Sequence, residues 1–207
     1  MKRIPTTRIA VTQTAEQPPR QPASGEVPGL YESCVETLSG WRPPGADQDQ
    51  LRSAYLDHLA RHPDGWSRGC SGAHLTASSL ICLPHRGLVL LTLHARIGRW
   101  LQTGGHIEAT DSGLLAAALR EAGEESGLGG LTVDPTPLLL SKHEVECGTV
   151  RPTYHLDVQF LVVASEAIPP TVGPESLDLR WFDHDKLPTT DDSVRDLVAA
   201  AASRLGW

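Results

Sequence analysis

Residues 105–128 read GHIEATDSGLLAAALREAGEESGL. The stretch predicts a helix from about Asp111 to Ser126, because apolar residues recur at helical spacing and Gly127 suits a left-handed C-cap. With the 3.6-residue period, the predicted core-facing stripe comprises Leu115, Leu119, Ala122 and Ser126, with Ala118 at its edge. The remaining surface of this helix carries three glutamates close together.

These glutamates lie where a helix least favours them. Glu121 and Glu125 are stacked one turn apart, Glu124 lies beside them, and Arg120 is the only nearby cation. Like charges at this spacing cost roughly 0.2–0.5 kcal/mol per pair, and the macrodipole disfavours anions near a helix C-terminus by roughly 0.3–1 kcal/mol each. A run of acids is more often a solvated helix face. Here the cost of the cluster favours a hard-oxygen site for Mg²⁺ or Mn²⁺.

A pair of glycines, Gly104 and Gly105, precedes the helix. Glycine lets the backbone approach a ligand or a metal closely and adopt conformations that other residues avoid. A glycine pair alone fits any turn, but one that leads into an acidic helix supports a binding site at this loop. We therefore expect both glycines to contact substrate.

Together these residues resemble the Nudix box, which is written Gx5Ex7REUxEExGU with U an apolar residue. The second half is matched over residues 120–128, with Ala122 as the apolar position. The first half departs twice, because Asp111 replaces the glutamate and one extra residue precedes Arg120. The wider resemblance extends over about residues 73–182. It identifies the chain as a member of a family that hydrolyses nucleoside diphosphates linked to another moiety.

The resemblance implies roles for the box residues. Glu121 and Glu125 bind the divalent metal, Mg²⁺ or Mn²⁺, and Glu124 assists them or acts as the base. The carbonyl of Gly105 is a further ligand, and Arg120 orients the glutamates through charge-assisted hydrogen bonds. Water activated by the metal attacks phosphorus in the diphosphate. The cation also explains how an acidic chain binds an anionic substrate.

Residues outside the box complete the expected site. The resemblance implies that Glu175, in the loop before the strand containing Trp181, adds a ligand or a base. The change to Asp111 bears on loop geometry more than on metal binding. Trp100 stacks on a base or anchors the loop by burial. Tyr154 contacts substrate or packs at the start of a strand.

A second group of polar residues predicts another metal site. His74 opens a strand, His106 follows the glycine pair, and His155 and Asp157 share one face of a later strand. Each histidine alone is more often a hydrogen-bonded structural residue. The set resembles the histidine-rich metal site of isopentenyl diphosphate isomerases, a branch with the Nudix fold. The cysteine of those isomerases is absent here, because Gly104 and Gly105 precede His106, and this disfavours isomerisation.

The flanking sequence predicts a mixed α/β architecture, with a mixed sheet between helices as in the Nudix fold. Residues 1–29 read as a flexible tail rich in Pro, Gln, Thr and Ser, 30–70 as a helical N-terminal extension, and 71–207 as the Nudix domain. Within the extension, helices are expected at about 30–38 and 47–62. The predicted later elements are strands at 74–83, 88–93, 138–140, 155–163 and 179–182 and a helix at 193–205 with Ser193 as its N-cap.

Composition narrows the class of protein. The chain has 207 residues and a net charge of −7, which argues against a basic nucleic-acid surface. Its apolar runs are too short to cross a membrane, and its basic N-terminus lacks the apolar run of a signal peptide. Four widely spaced cysteines are typical of reduced, cytoplasmic thiols. We expect the protein to bind a small diphosphate, and the family resemblance implies that it forms a homodimer. A non-catalytic, nucleotide-binding regulatory domain stays an alternative, although such domains usually lose box carboxylates that this chain retains.

Overall fold

The computed structural model describes residues 29–146, 151–171 and 176–207. Those ranges contain four α-helices, one short 3-10 turn and eight strands. The helices are α1 (Leu30–Gly40), α2 (Ala46–Arg61), α3 (Leu114–Ser126) and α4 (Asp192–Leu205). The strands are β1 (Ala73–Leu83), β2 (Leu88–His94), β3 (Trp100–Leu101), β4 (Thr103–His106), β5 (Thr132–Val133), β6 (Leu139–Val145), β7 (Thr153–Val163) and β8 (Ser176–Asp183). The mixed α/β class predicted from the sequence is confirmed.

All eight strands belong to one mixed sheet, and β1 and β7 form its centre as a parallel pair. Antiparallel partners extend the sheet: β2 and β4 on β1, β5 and β6 on β7, and β3 and β8 on β2. In the central register His74 lies opposite His155 and Thr76 lies opposite Asp157. Polar residues far apart in sequence therefore face one another across two buried strands.

The two faces of the central strands differ in chemistry. On one face, Leu75 and Ala77 of β1 pack with α1, α2 and α3 in one apolar cluster. The other face is divided along its length, because successive side chains on a strand alternate between faces. Its C-terminal half, with Leu80 and Cys82, packs under α4. Its N-terminal half carries polar side chains instead, and this half is the floor of the site described below.

The predicted N-terminal helices form and contribute to this core. Leu38 of α1 and Tyr55 and Leu59 of α2 are fully buried and share a cluster with Leu114 of α3. The Tyr55 hydroxyl lies 3.5 Å from the backbone carbonyl of Asp157, beneath the polar half of the sheet. α1 and α2 therefore support the site from behind.

Two local expectations need correction. α3 begins at Leu114 rather than near Asp111. The predicted stripe residues Ala122 and Ser126 and the edge residue Ala118 are buried, and the buried face also contains Leu114 and Ala117. The predicted stripe residues Leu115 and Leu119 are only partly buried. α4 begins one residue earlier than expected, with Asp191 rather than Ser193 at its N-cap. The C-cap of α3 is as predicted: Gly127 has φ 67° and donates its N–H to the Gly123 carbonyl at 2.8 Å.

Candidate active site

The glycine pair of β4 is closely packed against β1 and α3. Gly104 has φ 153°, and a Cβ there would lie 2.2 Å from the Cβ of Ser78 and 2.5 Å from its Cα, so this position has no room for a side chain. A Cβ on Gly105 would lie 2.6 Å from Oε1 of Glu121 on α3, so the glutamate side chain would have to move. The absence of a side chain at Gly105 therefore lets the Glu121 carboxylate lie against the backbone of β4.

Arg120 is the electrostatic centre of the box. Its Nε and Nη2 donate to both carboxylate oxygens of Asp111, at 3.0 Å each. Nη2 also donates to the His106 carbonyl at 2.9 Å, and Nη1 donates to Glu121 at 3.0 Å and to Glu124 at 3.1 Å. A planar guanidinium suits such a network because its donors are fixed in a fork. Arg120 thus ties the loop before α3 to two of the box carboxylates.

Asp111 acts on the loop, as expected from its departure from the box pattern. Its side chain is 5 % exposed, and it accepts the backbone N–H of Glu108 at 2.8 Å as well as the Arg120 pair. Burial alone would raise the pKa of Asp111, but the hydrogen bonds from Arg120 and Glu108 outweigh it and hold that pKa below its usual value. Asp111 therefore stays charged and anchors Arg120.

The three box glutamates have different surroundings. Glu121 is mostly buried, and burial raises its pKa, although Arg120 opposes the shift. Glu124 is exposed. Glu125 accepts the Gly104 N–H at 3.3 Å and reaches the cavity beside β4. Within the described residues their oxygens are not gathered into a set of three donors within 4.8 Å, because Arg120 holds two of them and Glu125 turns to Gly104.

The donor chemistry of the box nevertheless fits a hard divalent cation. Glu121, Glu124 and Glu125 supply carboxylate oxygens, and the carboxylate of Glu121 lies close to the Cα of Gly105. Mg²⁺ and Mn²⁺ prefer oxygen ligands of this kind. The carboxylates are close to one another in sequence on one helix, so side-chain rotation is enough to bring them together.

A cavity of about 550 Å³ opens beside this cluster. The predicted residues Gly104, Gly105, His106, Glu125, His155 and Asp157 line it. Sequence reasoning missed several other lining residues, which have cationic or imidazole side chains: Arg68, His94, Arg96 and His143. Glu144 of β6 and Glu146, which follows that strand, also line the cavity. A pocket of this volume suits a ligand the size of a nucleotide derivative.

The floor of the cavity is a polar ladder between β1 and β7. Thr76 and Ser78 donate to the two oxygens of Asp157 at 2.9 Å and 2.6 Å, and Gln159 donates to it at 3.2 Å. These partners occupy the Asp157 carboxylate. The three predicted histidines form a separate group whose ring nitrogens lie within 4.8 Å of one another: His74, His106 and His155. The structure thus brings the three histidines together, whereas the carboxylate of Asp157 accepts hydrogen bonds from the hydroxyls of Thr76 and Ser78.

Two predicted substrate contacts lie away from the cavity. The Trp100 ring packs against Phe182, with ring centroids 4.8 Å apart, in the cluster beneath α4. This favours the expected alternative in which the tryptophan anchors its loop. The Tyr154 ring lies under the Lys142 ammonium, 4.5 Å from its centroid. Neither residue lines the cavity, and Glu175 falls outside the described residues.

The missed residues left only weak signals in the sequence. Thr76 and Ser78 alternate with apolar residues in a strand that is otherwise buried, which indicates a polar partner on one face. Their partner Asp157 becomes visible only when β1 and β7 are known to pair in parallel. Arg68 and Arg96 lie in exposed segments outside the helices and strands, where a single cation has no periodic signal.

The site and the fold define a class of protein. The NUDIX domain family matches residues 72–201, which is more than half of the chain. The chain therefore belongs to the NUDIX family, and the prediction of an enzyme of the Nudix pyrophosphohydrolase class is confirmed. A search among curated proteins gave no match.

Solved structures show the same fold at low sequence identity. A NUDIX-family hydrolase from Clostridium perfringens is 22% identical, with a TM-score of 0.52 over 64% of this chain and 96% of that one. The dihydroneopterin triphosphate pyrophosphohydrolase of E. coli is 18% identical, with a TM-score of 0.51 over 60% and 91%. The NUDIX domain of NrtR from Shewanella oneidensis, in complex with ADP ribose, is 18% identical, with a TM-score of 0.51 over 72% and 97%.

Among the residues that the structure describes, no helix combines the length and the apolar character needed to cross a membrane.

Proposed function

We propose that the protein hydrolyses a diphosphate bond in a nucleoside diphosphate linked to another moiety, with Mg²⁺ or Mn²⁺ as cofactor. One observation carries the proposal: Glu125 lines a cavity of about 550 Å³, and the neighbouring box carboxylates Glu121 and Glu124 are held beside it by Arg120. The box glutamates would hold the cation, with the Gly105 carbonyl as a further ligand. When bound, a divalent cation supplies positive charge for the diphosphate and lowers the pKa of water.

The chain's own residues divide the remaining work. Glu121 and Glu125 serve as ligands, and Arg120 positions Glu121 and Glu124 by hydrogen bonds. Glu124 is the base in this proposal, because Arg120 bonds its Oε2 and its Oε1 has no hydrogen bond in the described part of the chain. A base must reach the proton of the attacking water, and the exposure of Glu124 permits this. Glu175 is proposed as a further ligand or base by family resemblance alone.

The substrate class is supported by the cavity. Exposed cations at its wall, Arg68 and Arg96, suit the phosphates of a diphosphate. Two similar structures have names that fit this chemistry, since one acts on dihydroneopterin triphosphate and one holds ADP ribose. Gly104 occupies the position of the isomerase cysteine, so the isomerase alternative has no support from the loop. We infer a small phosphorylated substrate with a second group beyond the diphosphate.

A phosphate-release screen with Mg²⁺ and Mn²⁺ tests the proposal. The panel contains nucleotide sugars, dinucleoside polyphosphates, nucleoside triphosphates and prenyl diphosphates, with a phosphatase added where the products are phosphomonoesters. We expect metal-dependent turnover on the nucleotide members, and a fall of at least about 100-fold in Glu125→Gln. Glu36→Gln, an exposed glutamate on α1, serves as the matched control and should keep full activity.

The same screen separates the catalytic proposal from the regulatory alternative. Turnover that is equal in wild type and Glu125→Gln contradicts the role of the box. No turnover on any panel member, together with nucleotide binding measured by calorimetry, favours a ligand-binding regulatory domain. Turnover on prenyl diphosphates alone contradicts the nucleotide assignment.

A further inference from the structure

Three imidazoles from three strands meet beneath the cavity. The ring centroids of His74 and His106 are 5.2 Å apart, those of His74 and His155 are 4.9 Å apart, and those of His106 and His155 are 5.0 Å apart. The sheet register explains the meeting, since His74 of β1 lies opposite His155 of β7 and Thr76 lies opposite His106 of β4. One ring nitrogen from each lies within 4.8 Å of the other two. The backbone therefore fixes a triangle of nitrogen donors.

Two of the three histidines, His74 and His155, carry buried nitrogens without hydrogen-bond partners. Both ring nitrogens of His74 and Nε2 of His155 are shielded from solvent and have no such partner within the described residues. An unsatisfied buried polar atom is destabilising, and most native proteins carry very few. Three such atoms in one place indicate that a ligand supplies the missing interaction.

The chemistry of the rings limits the ligand. His74 is 1 % exposed, and burial disfavours a positive charge on an imidazole. A neutral imidazole offers a lone pair rather than a positive charge. Neutral imidazoles suit a cation that binds nitrogen and do not attract a phosphate.

We propose that His74, His106 and His155 bind one divalent transition-metal ion of the zinc type, at a site distinct from the carboxylates of α3. Imidazole suits zinc and its neighbours in the transition series, whereas Mg²⁺ prefers oxygen. Zinc–nitrogen bonds of about 2.0–2.1 Å place tetrahedral donors about 3.3 Å apart. The present upper limit of 4.8 Å requires an inward movement of the rings of at most roughly 1.5 Å.

The site has a floor and an open side. His74 is 1 % exposed and lies beneath, while His106 and His155 line the cavity wall. Three protein ligands with a fourth position open are typical of zinc sites that bind water or a ligand oxygen. The open position faces the cavity in which we propose that the diphosphate binds. The backbone carbonyl of His106 accepts Arg120 Nη2 at 2.9 Å, so one residue joins the two sites.

Neighbouring groups do not provide a better donor set. The carboxylate of Asp157 is occupied by Thr76, Ser78 and Gln159. His143 packs edge-on against His155, with ring centroids 5.4 Å apart, but it is exposed and lies outside the triangle. A second group of donors, on His62, Asp64 and Cys70, has two exposed members. It makes His62→Ala a useful control, because a metal held there would be lost in that variant only.

Metal binding by the full chain tests the proposal without any enzyme assay. The protein is stripped with a chelator and titrated with Co²⁺ as a visible probe, and Zn²⁺ affinity is measured by competition with a chromophoric chelator. We expect one equivalent of Co²⁺ with ligand-field bands in the visible range, displaced by Zn²⁺. His106→Ala and His155→Ala should each weaken binding by at least about 100-fold, more than the 10–100-fold typical of losing an outer-shell partner. His62→Ala should bind as wild type.

The double variant Glu121→Gln/Glu125→Gln separates this site from the proposed catalytic one. It should lose hydrolysis and keep the tight Co²⁺ site. Loss of the Co²⁺ bands in that variant, or unchanged stoichiometry in His106→Ala, overturns the proposal. X-ray absorption at the zinc edge identifies the atoms bound to zinc in the zinc-loaded wild type. Because this measurement needs no variant, it tests the site even if a histidine variant fails to fold. A nitrogen shell at about 2.0–2.1 Å supports the site, and a shell of sulfur or of carboxylate oxygen alone overturns it.

Discussion

The carboxylate cluster of α3 and the histidine triangle beneath the cavity meet at His106, whose ring belongs to the triangle and whose backbone carbonyl accepts a hydrogen bond from Arg120, and the two clusters differ in charge and burial. The carboxylates are charged and partly exposed, and Arg120 balances them from within the chain. His74 is buried, His106 and His155 are half-buried, and three nitrogens of His74 and His155 have no partner among the described residues. In our proposal the carboxylates bind a cation by exchanging their contacts with Arg120, whereas the histidine nitrogens gain their missing partner from a metal ion.

This difference predicts different metals and different lifetimes for them. Oxygen donors spread around an arginine suit a hard cation that comes and goes with a phosphorylated substrate. Nitrogen donors preorganised by sheet register suit a borderline metal that stays with the protein. Two kinds of variant test this difference. One kind removes Arg120, the internal cation of the carboxylate cluster, and the other removes a ring of the histidine triangle.

The largest effect is expected from Arg120→Ala. Asp111 is 5 % exposed and Glu121 is 15 % exposed, and both would lose their main counter-charge. Removing one partner of a buried ion pair costs about 3–5 kcal/mol, and the 20 % exposure of Arg120 favours the lower end, about 3 kcal/mol. Urea unfolding at pH 7 measures the loss. Arg52→Ala, which breaks the exposed pair with Asp49, should cost less than about 1 kcal/mol.

Equal losses in these two arginine variants would contradict the role of Arg120 as the charge balance of the cluster. A variant that removes both charged partners gives a further check. If the cost of Arg120→Ala comes from the stranded carboxylate, then Asp111→Asn in the Arg120→Ala background should recover part of it.

The next effect concerns the glycine pair. In Gly105→Ala the new methyl group would lie 2.6 Å from Oε1 of Glu121, so the glutamate must move away from β4. A displacement of about 1 Å at a catalytic group costs about 100-fold in rate, and we expect kcat to fall by that order on the substrate found in the screen. Gly129→Ala, where a Cβ meets nothing within 4 Å, is the matched control. Full activity in Gly105→Ala would show that Glu121 does not need this position.

A smaller effect, of opposite sign, is expected from His74→Leu in chelator-treated protein. Removing two buried, unpartnered nitrogens relieves about 1–3 kcal/mol, and the imperfect fit of leucine returns part of it. We expect unchanged or higher stability, by about 1 kcal/mol. Thr76→Val, on the same face of β1, should instead destabilise by about 1–2 kcal/mol, because its hydroxyl donates to buried Asp157 at 2.9 Å. Thermal unfolding with excess Zn²⁺ should reverse the ranking of wild type and His74→Leu.

The sequence predicts these two regions unequally well. The box was found because it repeats a charge pattern at fixed spacing on one helix, and the positions of the five longer strands followed from apolar runs and turn residues. The short strands β3, β4 and β5 were not predicted. The start of α3 was placed too early, because the loop containing Asp111 is held by tertiary contacts to Arg120 and Glu108 that no local pattern shows. The buried face of α3 was only partly predicted, since packing against both β1 and α1 decides it.

The histidine triangle shows what a sequence can predict when the pairing of its strands is unknown. His155 and Asp157 lie two residues apart on one face, so both were assigned to one site. The parallel pairing of β1 with β7 divides them, because Thr76 and Ser78 meet Asp157 while His74 meets His155. Trp100 was similarly ambiguous, and only the position of Phe182 shows that its ring packs in the core. Contacts across strands depend on pairing, which the residues of one strand do not encode.

The smallest effect is a pH dependence of the Asp111 anchor. Its hydrogen bonds with Arg120 and Glu108 hold the pKa of Asp111 below the usual value despite burial. A carboxyl with a lowered folded-state pKa stabilises the protein above its unfolded pKa near 3.8 and loses that contribution as the pH falls through the folded value. Asp111→Asn should therefore cost about 1–2 kcal/mol at pH 7. Its deficit should shrink as the pH falls below about 4, where Asp111 of the unfolded wild-type chain takes up a proton, and should go on shrinking until the pH passes the lower folded-state pKa. Chemical unfolding of both proteins from pH 7 to pH 3 measures this difference. Asp49→Asn, in the exposed pair with Arg52, should show a deficit near zero throughout, and a constant Asp111→Asn deficit would mean that the charge of Asp111 does not anchor the loop.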